Sequence, residues 1–314
     1  MTIGFVFSGQ GSQFNGMGQD LYEYSDVFKE TINEASRILN LDMLELLFTQ
    51  NDRLHQTKYT QPAILTMSIG ISRMMREELN LTPRIVAGLS LGEISALVES
   101  NMLTFSDALV LVKKRGELME TAVEDGVGAM SAILGLDRQL IDNICQEISQ
   151  PNCLVEAVNY NMPAQTVIAG HTKAVEKAEQ YLSKNGAKRV IRLNVSGPFH
   201  TSLMSQAAND FEKEVRKKEI KNMSIPLITN INGKILDQHI DLAEHLNMQM
   251  QSPVYFEECI NEMKRQGVDI LIEVGAGKSL CQFIKKIDAS IHVQHVDSVK
   301  SFEQLKKKLE KWVS

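Results

Sequence analysis

Apolar and polar positions along this chain change period several times, and the changes predict its elements. An apolar run at 3–8 reads as a first strand and leads into a Gly-Gln-Gly-Ser-Gln turn at 9–13. A helical region is predicted over 20–39. The next helix, over 61–79, has Ile64, Leu65, Ile69, Met74, Met75 and Leu79 as its apolar positions. A short apolar run at 84–87 predicts a strand, a helix-like run follows at 93–98, and another helix is predicted over 106–123. This alternation is the pattern of a parallel sheet covered by helices, so the expected class is α/β.

The pattern changes near Gly126. Strands are predicted at 128–134, 154–158, 166–169 and 188–195. Helices are predicted at 138–149 and from Thr172, its expected N-cap, to Asn185-Gly186. Ala174, Val175, Ala178, Tyr181 and Leu182 share one face of that second helix. The order β-α-β-β-α-β is the ferredoxin-like split unit. The expected organisation is a large α/β subdomain from residues 1–125 and 198–314, with a small ferredoxin-like subdomain inserted at 126–197. Strands near 225–229, 270–274 and 292–296 return the chain to the larger body.

Composition narrows the class. Apolar residues are 43% and charged residues 23% of 314, an ordinary globular balance with enough chain for a large core. No apolar run is long enough to cross a bilayer. The first residues lack a basic region and a cleavage site, so a signal peptide is not expected. Cys145, Cys153, Cys259 and Cys281 have neither metal nor redox spacing and are expected to be buried thiols of a cytoplasmic protein. A net charge of −6 argues against nucleic-acid binding.

One turn concentrates the chemistry. Gly88-Leu89-Ser90-Leu91-Gly92 has the G-x-S-x-G form between the 84–87 strand and the 93–98 helix. In that setting it forms a nucleophile elbow. The serine hydroxyl stands out at the carboxyl end of a sheet, and the helix start brings backbone N–H groups beside it. A serine nucleophile needs a base. Of seven histidines, His200 follows a strand end and a Gly197-Pro198 turn, while His292 and His295 flank the last strand. Spacing leaves His200 and His295 both open. His55, His171, His239 and His245 fall in polar, loop-like surroundings.

Arg115 is the second anomaly. In the 106–123 helix the apolar stripe runs Ala108, Leu109, Val112 and Met119, which puts Arg115 on the buried face. A buried guanidinium needs a partner. A structural carboxylate would serve; so would an anionic ligand, since arginine holds a carboxylate through two parallel hydrogen bonds. Gly116 leaves room for close approach. Gly9-Gln10-Gly11 frees backbone N–H groups toward an anion, but Phe14 stands where a dinucleotide fingerprint has glycine. Gly277-Lys278-Ser279 looks like the end of a phosphate loop, yet Ile272 replaces its first glycine, so ATP is not expected.

Taken in order, these motifs resemble the malonyl-CoA:acyl carrier protein transacylase family of bacterial fatty-acid synthesis, over essentially the whole chain. The residues that carry the resemblance are Gly9-Gln10-Gly11-Ser12-Gln13, Thr60-Gln61-Pro62-Ala63, Gly88-Leu89-Ser90-Leu91-Gly92-Glu93 and Arg115-Gly116. Asn159-Tyr160-Asn161-Met162-Pro163, Gly197-Pro198-Phe199-His200 and Glu273-Val274-Gly275-Ala276-Gly277-Lys278 complete them. The resemblance implies an α/β-hydrolase-like large subdomain, Ser90 as nucleophile and His200 as general base and acid. It implies Arg115 as partner of the malonyl carboxylate, and the backbone N–H groups of Gln10 and Leu91 as the oxyanion hole. Gln249 would orient His200 through its backbone carbonyl, with Gln251 two residues on. Asn159 and Asn161 would line the cleft, and Phe199 looks like the malonyl-selecting form of its motif. Two departures stand out: many members have histidine where Leu89 stands and proline where Ser8 stands.

The implied activity is transfer of malonyl from malonyl-CoA to the phosphopantetheine thiol of acyl carrier protein, through a malonyl-serine and with ping-pong kinetics. No cofactor or metal is implied. Malonyl-CoA and acyl carrier protein are the expected partners, nucleic acid and membrane are not, and a monomer is expected. A serine thioesterase or other hydrolase would use the same serine with water as acceptor and His292 or His295 as base. An acyltransferase for a different extender unit would keep the chemistry and change the acyl pocket. A non-catalytic carrier-protein scaffold would require none of Ser90, His200 or Arg115. Lys184, Lys188, Arg189 and Arg192 are candidate contacts for an acidic carrier protein.

Overall fold

Buried apolar runs form the strands of the central sheet. The computed structural model describes residues 2–195 and 197–313; Met1, Ser196 and Ser314, which fall within the expected subdomains, lie outside the described residues. In chain order the strands are β1 (Ile3–Phe7), β2 (Ile85–Gly88), β3 (Gly128–Leu134), β4 (Val155–Met162) and β5 (Gln165–His171). β6 (Arg189–Arg192), β7 (Leu227–Ile228), β8 (Ile270–Val274) and β9 (His292–Val296) follow. β7-β2-β1-β8-β9 make one sheet, parallel throughout. Every residue of β1, β2 and β8 is buried, as a sheet covered on both faces requires.

β4-β5-β3-β6 make a second, antiparallel sheet. Its alternation gives it two jobs. Ala129 and Ile133 of β3 pack with Ile141, Ile144, Val175 and Leu182 of two helices, Arg138–Ile148 and Thr172–Lys184, in a core of their own. Met130 and Ala132, on the other face, belong to the main core.

Several elements depart from expectation. The 20–39 helix is two helices, Gln19–Tyr24 and Asp26–Leu39, because Ser25 adopts an extended conformation and caps the second by accepting the Phe28 N–H. The 61–79 helix starts earlier, at Thr57. Its added turn carries Thr57 and Thr60, which are buried although polar, so no apolar period announces them. Thr172 is not an N-cap. His171 takes that position, and the Thr172 hydroxyl donates to the Gly126 carbonyl instead. β4 and β5 run longer than predicted, and β4 has register shifts at Ala157/Asn159 and Tyr160/Met162. No helix among the described residues is long and apolar enough to cross a membrane.

Candidate active site

Register assembles the site. Phe7 of β1 lies opposite Gly88 of β2 and Val274 of β8, so the turns after all three strands leave the sheet at one level. Ligands of open α/β sheets bind at this carboxyl edge.

Ser90 adopts φ 53° and ψ −102°, a conformation an L-residue holds only when its surroundings enforce it. The flanking glycines are contact requirements. A Cβ on Gly88 would stand 2.0 Å from the Gly92 carbonyl carbon, and one on Gly92 would stand 2.1 Å from the Phe7 oxygen. Helix Leu91–Glu99 begins one residue after Ser90, so the Leu91 N–H belongs to the first turn, where no intrahelical acceptor exists. A Cβ on Gly9 would meet the Leu89 carbonyl oxygen at 2.4 Å, so the Gly9-Gln10 turn lies directly against the elbow.

His200 is buried, at φ 64°, with Nε2 2.7 Å from Ser90 Oγ. Its Nδ1 lies 2.9 Å from the Gln249 backbone oxygen. A carbonyl only accepts, so Nδ1 carries the proton and Nε2 offers its lone pair to the serine hydroxyl. Burial foremost, then the charge of Arg115, lowers the His200 pKa to about 4, against the Gln249 carbonyl, which raises it. The imidazole is therefore neutral at neutral pH, ready to accept a proton. Gln251 takes no part: its side chain bonds Ser205 and Asn247. His295 sits 3.7 Å from Asp297 and lines a separate surface pocket with Lys278 and Lys285. Of the two histidines that spacing left open, His200 stands at the serine.

Arg115 is 1% exposed on helix Phe105–Glu120. Gly116 beside it lets that helix approach helix Thr57–Leu79 closely, since a Cβ would meet the Lys58 Cα at 2.7 Å. The approach delivers Gln61, whose Oε1 accepts from Arg115 Nη1 at 3.1 Å. Nη2 donates to Gln249 Oε1 at 3.0 Å and to Ser90 Oγ at 3.3 Å, while buried Nε has no partner. All three acceptors are neutral, so the structural carboxylate that a buried arginine could have taken is not among its hydrogen-bond partners. Burial lowers its pKa to about 10, opposed by the charge of Glu93, and it stays cationic at neutral pH.

Ser90, Arg115 and His200 open on a cleft of about 250 Å³ walled by Met119, Met130, Ala132, Val167 and Phe199. Asn159 and Asn161 reach it from β4, where Val158 and Asn161 are the extra residues of the two bulges. The Asn161 Oδ1 is buried without a partner. Leu89 lines the same cleft. The Ser8 N–H donates to the Val274 carbonyl at 3.4 Å, a bond that proline lacks the donor to make.

Sequence reasoning missed part of the site. Asn230 follows two-residue β7 and accepts the Ser90 N–H on its side chain at 2.7 Å. His245 is not in a loop. It is buried on helix Leu242–Gln251 and bonds Glu93. Glu93 and Gln61 stood inside quoted motifs, whereas Asn230 had no local signal. Among the basic candidates, Lys184, Lys188 and Arg189 are exposed, but Arg192 is held by both oxygens of Glu179.

A strained serine bonded to a neutral imidazole at the carboxyl edge of a parallel sheet defines, by class, a serine acyl-transfer site. Residues 4–313 match the family model of the acyl transferase domain. A malonyl CoA-acyl carrier protein transacylase of Bacillus subtilis is 41% identical over 302 residues, covering 96% of this chain and 95% of that protein. The crystal structure of a malonyl CoA-acyl carrier protein transacylase from Clostridium perfringens superposes with a TM-score of 0.95 at 38% identity, covering 99% of this chain and 98% of the other. A malonyl-transacylase solved in complex with its type II PKS acyl-carrier protein superposes at 0.93, with 37% identity and coverage of 96% and 97%. This chain belongs to the acyl transferase family, among its malonyl CoA-acyl carrier protein transacylases.

Proposed function

We propose that the chain transfers malonyl from malonyl-CoA to the phosphopantetheine thiol of an acyl carrier protein through malonyl-Ser90. The observation that carries this is Arg115: a buried cation whose Nε has no partner and whose other nitrogens have only neutral ones, 3.3 Å from the nucleophile. A carboxylate held there stands one methylene from the ester carbonyl, which is the length of a malonyl group.

His200 Nε2 takes the Ser90 proton as Oγ attacks the thioester carbon. The backbone N–H groups of Gln10 and Leu91 hold the oxyanion, each worth about 2.7–4 kcal/mol in comparable sites. The C–S bond breaks and the coenzyme A sulfur leaves with the proton from His200. The acceptor thiol then gives its proton to His200 and attacks the ester carbon; the C–O bond breaks and Ser90 Oγ leaves with the proton from His200. The Gln249 carbonyl holds the imidazole tautomer throughout, so no acidic third member is needed. Asn159, Asn161 and Phe199 shape the acyl cleft. The relay uses side chains and backbone alone, with no resident cofactor.

The strand order β4-β5-β3-β6, its two helices and their separate core support a ferredoxin-like small subdomain at 126–197. Residues 1–125 and 198–314 then form the α/β-hydrolase-like body that carries the elbow. The cleft is complete within one chain, which suits a monomer. The proposed location is the cytoplasm, where coenzyme A thioesters are used.

Brief mixing with malonyl-CoA, without carrier protein, should add one malonyl mass to the protein. The same treatment of Ser90→Ala should add none, and carrier protein should discharge the adduct. Free malonate accumulating without an adduct would make water the acceptor and sink the transfer assignment.

A further inference from the structure

Behind Ser90, on the side away from the cleft, a buried polar chain ties the nucleophile turn to the helix that holds His200. The Asn230 side chain spans the elbow: Oδ1 accepts the Ser90 N–H at 2.7 Å and Nδ2 donates to the Gly88 carbonyl at 2.6 Å. The Asn230 N–H donates to Glu93 Oε2 at 2.7 Å. The other oxygen of Glu93 lies 2.6 Å from His245 Nε2, at 0% and 4% side-chain exposure. His245 is four residues before Gln249 on helix Leu242–Gln251, so the two share a face. Gln249 closes the circuit. Its carbonyl holds His200 Nδ1, and its Nε2 donates to the Ser90 carbonyl at 2.8 Å.

We propose that Asn230, Glu93 and His245 are positioning residues that lock the Ser90 turn in register with His200. This rests on the assignment of Ser90 as nucleophile. None of the three lines the cleft, and none can touch an acyl group. Their work is geometric. Ser90 is held outside the favoured backbone regions, and a turn of that kind relaxes unless neighbours fix it. Asn230 fixes it at residues 88 and 90. Glu93 fixes Asn230 from the helix that follows the turn. His245 fixes Glu93 from the helix whose Gln249 carbonyl holds His200. Losing any link frees Oγ to drift from Nε2 without altering the substrate's binding surface.

The test is the pre-steady-state burst of malonyl-enzyme, measured by intact mass on rapidly quenched wild type, Asn230→Ala, His245→Ala and His245→Gln. Asn230→Ala should lower the acylation rate constant about 100-fold and His245→Ala about 10-fold, as small misplacements of reacting groups do. The burst should still reach one malonyl per folded chain, and the malonyl-CoA dissociation constant should stay within about threefold. His245→Gln keeps an N–H donor for Glu93 and should recover most of the loss. Wild-type rate constants with only a lower burst amplitude or melting temperature would overturn the positioning role. Loss of the folded state in both alanine variants would overturn it as well, making the chain of bonds a stability element. Absence of any burst in wild type would strike the Ser90 assignment itself, a separate outcome.

Discussion

Two buried polar clusters flank Ser90, and they differ in how completely they are bonded. The one facing the cleft is left open: Arg115 has a buried Nε without a partner, and so has the Asn161 Oδ1. The one behind the turn is closed. Asn230 uses its N–H, its carbonyl, which accepts the Tyr255 N–H, and both side-chain atoms, while Glu93 uses both oxygens. A buried polar atom without a partner costs about 1–3 kcal/mol, so folding alone gives no reason to keep one. The open cluster makes sense when a ligand supplies the missing bonds, and the closed one when the protein needs a fixed shape. On the proposed roles, the contrast separates recognition from positioning around one serine.

Arg115→Ala tests the open cluster most severely. It should cut kcat/KM for malonyl transfer by roughly two to three orders of magnitude, the range of a buried charge-assisted pair. Acetyl transfer, which cannot use the guanidinium, should change by less than about tenfold. Parallel rates with malonyl-CoA and acetyl-CoA give the comparison. Equal losses would mean that Arg115 merely supports Ser90 Oγ and that the open cluster recognises nothing.

The pH dependence is a smaller effect with a definite sign. Below its pKa His200 is an imidazolium and cannot take the serine proton, so acylation falls as pH falls through that value. For wild type, kcat/KM should hold far below the ordinary histidine value of 6.5, toward about 4. Arg115 is the second cause of the depression, after burial. Arg115→Gln removes that charge and should move the acid limb upward, though not fully, since burial remains. Acetyl-CoA is the substrate of choice, because it has no carboxylate to titrate. An acid limb that stays in place would show that Arg115 is screened from His200.

The same contrast explains what could be read from the chain. The open cluster was legible because its residues break local patterns: Arg115 interrupts an apolar stripe, and Ser90 sits between glycines at a strand–helix junction. The parallel sheet was legible because buried strands read as continuous apolar runs. The closed cluster was not. Asn230, Glu93 and His245 meet across 137 and 152 residues of chain, and each is an ordinary polar residue in its own neighbourhood. His245 looked like part of a loop because a helix carrying Asn247, Gln249 and Gln251 on buried or half-buried faces has no clear apolar period. Polar burial of this kind depends on partners that only the tertiary fold supplies.

Gln61 gives the finest discrimination between the clusters. Its Oε1 accepts from Arg115 Nη1 and its Nε2 lies 3.4 Å from the Met119 sulfur, so it belongs to the open side and orients the guanidinium. Gln61→Ala leaves a second buried nitrogen of Arg115, Nη1, without a partner, and should destabilise the unliganded protein by about 1–3 kcal/mol. A malonyl carboxylate can bond that N–H in the glutamine's place. The catalytic effect should therefore be modest, a KM for malonyl-CoA raised about threefold to tenfold with kcat nearly unchanged. Thermal melting with and without malonate checks the first part, because malonate should stabilise both proteins by binding the folded form. Steady-state rates check the second. The closed cluster is expected to do the reverse, lowering the acylation rate constant at constant affinity. If Gln61→Ala also slows acylation without weakening binding, a neutral acceptor on Arg115 is positioning Ser90, and the two clusters are one.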